Sequence, residues 1–203
     1  SRLKLAVFLP AALFMLIAGQ SLLLGQEKKW PDITPEELTM TDCPQQPGAA
    51  AIYLYREKIE DRSKSLTSIF KRIKILTPAG RDYGNIEITY MPEYETVEKI
   101  QVRVVSPSGQ ARDFQGNIME KTGIKVGSLE AKIKTIAVPD VSPGDIIDYR
   151  YNIRTKKVEI GGQRFDFSVL LNAGAEIFEE KIYSLPATTW YLEADLFTRK
   201  LRF

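Results

Sequence analysis

The clearest order in the chain is an alternation of period two. In IQVRVV, Ile100, Val102 and Val104 fall on one face and Gln101 and Arg103 on the other. In IIDYRYNIR, Ile147, Tyr149, Tyr151 and Ile153 lie opposite Asp148, Arg150, Asn152 and Arg154. Successive side chains of a strand point to opposite sides, so this pattern predicts half-buried strands. Further strands are predicted at Ile52 to Ile59, Ser68 to Leu76, Gly84 to Thr89, Ala131 to Val138, Gln163 to Leu170 and Ile177 to Leu185.

The residues between these runs read as hairpin turns. Thr77-Pro78-Ala79-Gly80 and Ser106-Pro107-Ser108-Gly109 repeat one chemistry. Proline fixes φ at the second turn position, and glycine accepts the positive φ that closes the loop. Ser142-Pro143-Gly144-Asp145 is a third turn of this kind. Many strands joined by tight turns, with no long amphipathic helix among them, predict an all-β fold: an antiparallel β-sandwich.

Upstream of Ala51 the pattern is different. Arg2 and Lys4 lead into Leu5 to Gly25, which holds no charged residue. A basic start followed by an apolar run is the signature of an export signal, and about 20 apolar residues can also span a bilayer. Residues 1–25 therefore read as a signal peptide or membrane anchor. The positive-inside rule keeps Arg2 and Lys4 in the cytoplasm and places the rest in the periplasm or cell envelope, touching the membrane only through residues 1–25. Residues 26–50 are polar and carry Pro31, Pro35, Pro44 and Pro47, so they read as an arm leading to a sandwich domain at 51–203. Within the arm, Thr34-Pro35-Glu36-Glu37 combines an N-cap threonine, proline at the first helical position and acids in the first turn, and predicts one short helix.

Composition narrows the function. Without Arg2 and Lys4 the formal charge of +2 falls to 0. A balanced chain argues against nucleic-acid binding, which needs a basic excess on one face. Lys121, Lys125, Lys132 and Lys134, and Arg154, Lys156 and Lys157, alternate with apolar or small residues and read as solvated strand faces.

Candidate chemistry is sparse. The chain has one cysteine, Cys43, and no histidine, so a Cys/His relay cannot be assembled from it. Cys43 reads as a free cysteine of the arm. Asp140, Asp145 and Asp148 cluster around a turn, and carboxylates so placed can bind a hard cation or act as an acid/base pair. The competing reading is stronger: Asp140 and Asp145 flank the Pro143-Gly144 turn and satisfy its backbone donors, while Asp148 falls on the polar face of a strand. No catalytic residue, cofactor or metal site is assigned. Tyr83, Tyr90, Tyr94, Trp190 and Tyr191 sit at or near strand ends and are the candidate ligand or partner contacts, against the reading that they cap the core.

The succession WPDITPEELTM, IYLYRE, FKRIKILTPAGRDYGNIEITY, VRVVSPSGQARDF and KTIAVPDVSPGDIIDYRY resembles one family in order and spacing. It is similar to the domain of unknown function that lies N-terminal to transglutaminase-like domains in exported bacterial proteins. The resemblance covers roughly Trp30 to Leu185, and Asn172 to Glu180 departs from the family pattern. It implies an all-β accessory domain followed, in the same polypeptide, by a papain-like domain with a Cys-His-Asp triad. No member of that triad maps onto this chain, because Cys43 precedes the β domain. A sequence that starts at Ser1 and stops within TRKLRF is expected to be a fragment, with its sandwich cut short at the C-terminal end. Two functions are expected to compete: a non-catalytic accessory or interaction module for the transglutaminase-like domain, and a stand-alone envelope protein that binds glycan or peptide.

Overall fold

A computed structural model describes residues 29–126, 129–160, 163–166 and 195–203. The segment Ser1–Asp32 forms one unit and Ile33–Phe203 the other. In the first, the described residues include an exposed Lys29–Asp32 ion pair at 3.0 Å. The run at residues 1–25 and the strand expected at 177–185 lie outside the described residues, as do Trp190 and Tyr191.

In the second unit, helix α1 (Pro35–Thr39) starts as its cap chemistry requires. The Glu37 N–H donates to Thr34 Oγ1 at 3.2 Å and the Thr34 N–H donates to Glu37 Oε2 at 2.9 Å, so two end donors are satisfied reciprocally. The strands are β1 (Ala51–Asp61), β2 (Leu66–Ile75), β3 (Asn85–Tyr90), β4 (Glu95–Val105), β5 (Ala111–Asp113), β6 (Met119–Val126), β7 (Leu129–Ala137), β8 (Ile146–Thr155), β9 (Lys157–Ile160), β10 (Gln163–Asp166) and β11 (Leu201–Arg202). They make a six-stranded sheet in the order β11-β1-β2-β8-β4-β5, a three-stranded sheet β3-β7-β6, and the pair β9-β10. Pairing is antiparallel except where β11 lies parallel to β1.

The two larger sheets form the expected sandwich. Between them lie Ile73 and Ile75 of β2, Ile86 and Ile88 of β3, Val102 and Val104 of β4, Ile136 of β7 and Ile147 of β8, each nearly or fully buried. Burying one such side chain contributes roughly 1.5–3 kcal/mol, so this row is the main source of cohesion. The alternation in β4 and β8 thus reports the core face faithfully.

The other face of the large sheet differs from expectation. It is covered by the arm: Ile52, Leu54, Val105 and Ile146 pack with Cys43, and Ile33, Leu38 and Met40 close over them. Strands read as half-buried are therefore covered on both sides here. Cys43 is a free thiol, as read, but it is buried in this apolar cluster instead of lying in a polar linker.

Only one of the three Pro/Gly turns closes a hairpin. Gly109 has φ +82° and joins β4 to β5. Thr77-Pro78-Ala79-Gly80 instead carries the chain from the large sheet to the small one, winding as a 3-10 helix over Pro78–Gly84. Glycine is needed at position 80 for space, since a Cβ there would lie 2.2 Å from the Ala50 carbonyl oxygen. Gly144 has the expected positive φ, +92°, yet its turn carries the chain back from β7 to β8.

Candidate functional site

Strand β2 reads LTSIFKRIKI and deals its charges to both sides of the large sheet. Ile73 and Ile75 face the sandwich core, so Lys71 shares their side, while Arg72 and Lys74 face the arm. The two sides handle their cations differently.

On the arm side, Arg72, Asp148 and Arg103 stand in one row across β2, β8 and β4, each the register partner of the next. Asp148 accepts from Arg72 Nε at 2.8 Å and Arg72 NH2 at 3.1 Å, and from Arg103 Nε at 3.0 Å and NH2 at 2.8 Å. Arg72 NH1 also reaches Glu37 of the arm at 3.4 Å. The alternation puts Asp148 on the polar face of its strand; that face is closed by the arm, and the carboxylate is fully buried. Lys74, also fully buried, donates to the carbonyls of Leu38 at 2.9 Å and Gly144 at 2.6 Å. Burial lowers its pKa below the usual lysine value, against the pull of Asp145 and Glu37. Charges taken from water must be paired and hydrogen-bonded, and here they are. Arg199 adds an outer tie from the C-terminal segment to Glu36 at 2.7 Å.

On the core side, β1, β2 and β8 present Tyr53, Lys71, Tyr149 and Tyr151. The Lys71 ammonium lies 5.5 Å from the centre of the Tyr53 ring and 5.7 Å from that of Tyr149. Tyr151 stacks parallel to Tyr149 with centroids 6.5 Å apart. Burial raises all three phenols, that of Tyr151 to about 12. Burial also lowers Lys71, with Arg56 adding repulsion and Asp195 opposing both. Among the described residues no oxygen lies within ion-pair or hydrogen-bond reach of this ammonium, in contrast to Lys74.

The candidates predicted from sequence are scattered over the fold. Tyr83 is half-buried on the 3-10 helix, packs on the core, and feels the charge of Asp195 that also acts on Tyr53 and Lys71. Tyr90, buried at the end of β3, donates its hydroxyl to Glu120. Burial first, and this carboxylate second, push it up to about 12. Tyr94 is half-buried in the loop before β4, at a separate position. Lys132 and Lys134 ion-pair with Glu120 at 3.0 and 2.8 Å, and Lys121 with Glu87 at 2.7 Å. Asp145 accepts from the Ser142 N–H at 2.9 Å within its turn, while Asp140 is exposed. Among the described residues no three His, Cys, Asp or Glu side chains stand together as metal ligands.

Sequence reasoning missed Lys71, Tyr53 and Tyr149 as a group. The one signal for it was the break in apolar alternation of IFKRIKI, where lysine occupies a position whose neighbours at 73 and 75 are core isoleucines.

The chain matches the family DUF3857, described as a domain of unknown function with a solved structure, over residues 67–188. A crystal structure of a "putative protease" from Parabacteroides distasonis aligns at 18% identity over 53% of this chain and 23% of that one, with a TM-score of 0.46. The chain thus spans under a quarter of that protein's length. No curated protein matches it.

Proposed function

We propose that this chain, which belongs to the DUF3857 family, is a non-catalytic interaction module that works outside the cytoplasm and serves a transglutaminase-like domain of the same polypeptide. The observation that carries the reading is the network of Arg72, Asp148, Arg103 and Glu37. Its two guanidinium groups are tied to one buried carboxylate beneath the arm, and Arg72 extends the network to Glu37 of the arm. A general acid or base must reach a substrate proton, whereas Asp148 is fully buried and accepts from two guanidinium groups. The sole thiol lies in the apolar cluster beneath the arm, and the chain has no histidine to activate it. These features favour a domain that leaves reaction chemistry to a partner. The basic start and apolar run of residues 1–25 support export.

Mass spectrometry of the native protein from fractionated cells tests the reading. The expected product comes from the envelope fraction, exceeds 23.0 kDa substantially and carries cysteine and histidine peptides beyond Phe203. A product ending near Phe203 would overturn it and turn attention to a self-contained envelope binding protein.

A further inference from the structure

We infer that the cleft beside Lys71 binds a carboxylate carried on a compact apolar body, as presented by the C-terminal residue of a peptide. The site stands with or without a catalytic domain downstream, so it is independent of the proposed function. The cleft runs over β11, β1, β2 and β8 of the large sheet and has a volume of about 190 Å³. Drug-sized sites usually occupy about 300–1,000 Å³, so this one admits a single side-chain-sized group.

Its walls set the chemistry. Lys71 and Arg56 are register partners on β2 and β1 and bring two cations to the cleft, Arg56 already donating to Thr198 Oγ1 at 3.4 Å and lying over the Tyr53 ring. Ile69, Tyr151, Leu201 and Phe203 supply apolar and aromatic surface around them. Glu57, the anionic residue of the lining, is occupied by the Tyr55 hydroxyl at 2.7 Å and by Arg202 at 3.1 Å. Lys58 is held by Glu60 at 2.9 Å. Lys71 differs from both: its ammonium meets ring faces, and its three donors have no acceptor among the described residues. A partly desolvated ammonium beside an arginine is a receptor for an anion, and charge-assisted bonds to a carboxylate are the strong kind. The ring of Tyr151, with Leu201 and Phe203, leaves an apolar wall for the body that carries it.

The test titrates the 203-residue chain with N-acetyl-phenylalanine and with its amide, following tyrosine ring resonances by NMR. The acid should shift Tyr151 saturably, and the amide should bind about tenfold more weakly or worse, since it lacks the charge. Lys71→Met should abolish the shifts while the variant still melts cooperatively. Equal binding of acid and amide, binding of neither, or unchanged binding by Lys71→Met would overturn the inference, as would tighter binding of glucuronate than of the peptide-like acid. If Lys71→Met does not fold, the wild-type salt dependence decides: affinity falling with added NaCl is expected, and affinity indifferent to salt contradicts the site.

Discussion

Lys71 and Lys74 stand three residues apart on one strand, and their surroundings have little in common. Lys74 is fully buried and fixed by two carbonyls, one from the arm and one from the turn before β8. Lys71 is half-buried and lies over two tyrosine rings. Burial lowers the pKa of both, so desolvation alone does not separate a structural cation from an available one. The acceptors do. Where backbone oxygens and a buried carboxylate absorb the charges, the face holds the fold together. Where aromatic faces are the neighbours, a cation remains able to take a ligand.

The largest effect should come from the arm side. Asp148→Ala leaves Arg72 and Arg103 facing each other without their carboxylate and should destabilise the fold by about 3–5 kcal/mol, measured by urea denaturation. A loss under about 1 kcal/mol would show that the network is solvated and that the two faces are alike. Lys74→Met strands the Leu38 and Gly144 carbonyls and should cost about 2 kcal/mol, part of that loss being offset by removing a buried ammonium. Thr34→Ala removes one half of the capping box and should cost about 1 kcal/mol, loosening the arm, with faster hydrogen exchange across residues 34–40 as the check. Lys71→Met keeps the apolar stem and loses only ring contacts, so it should change stability by less than about 1 kcal/mol.

One further effect is confined to alkaline solution and belongs to the core side. Tyr90 and Tyr151 are raised from 10.0 to about 12, chiefly by burial. The folded state then holds these protons longer than the unfolded chain does. Their contribution to stability is full below about pH 10 and declines as pH rises toward about 12. Lys71 and Lys74 act in the opposite sense, since a lowered lysine pKa adds stability as pH climbs toward 10.5. Tyr151→Phe should flatten the decline in urea midpoint above about pH 10, and an unchanged slope would place the effect elsewhere.

Much of this fold was legible in the sequence. The alternation in IQVRVV and IIDYRYNIR marked the core face of β4 and β8, and Thr34-Pro35-Glu36-Glu37 marked α1 with its cap. Strand β6 was not legible, because MEKTGIKV carries glycine at its centre and alternates no apolar face. Two of the three turns do a different job from the one their residues suggest, for a physical reason: local chemistry fixes φ at Pro78 or Gly144, but only packing decides which sheet receives the next strand. Arg103 and Asp148 fell on the polar faces of their strands, and nothing in β8 announces that a proline-rich arm lies over them. The tyrosines near strand ends were visible one by one. Tyr53, Tyr149 and Lys71 come together only through register across β1, β2 and β8.

The most direct measurement is competitive acylation of lysine amines in the native chain at mildly alkaline pH, with each site read by mass spectrometry. Lys71 should be modified while the protein stays folded, and Lys74 should remain protected until urea unfolds the sheet. Labelling of Lys74 in the folded protein, or protection of Lys71 equal to that of Lys74, would contradict the division of the sheet into a structural and an available face.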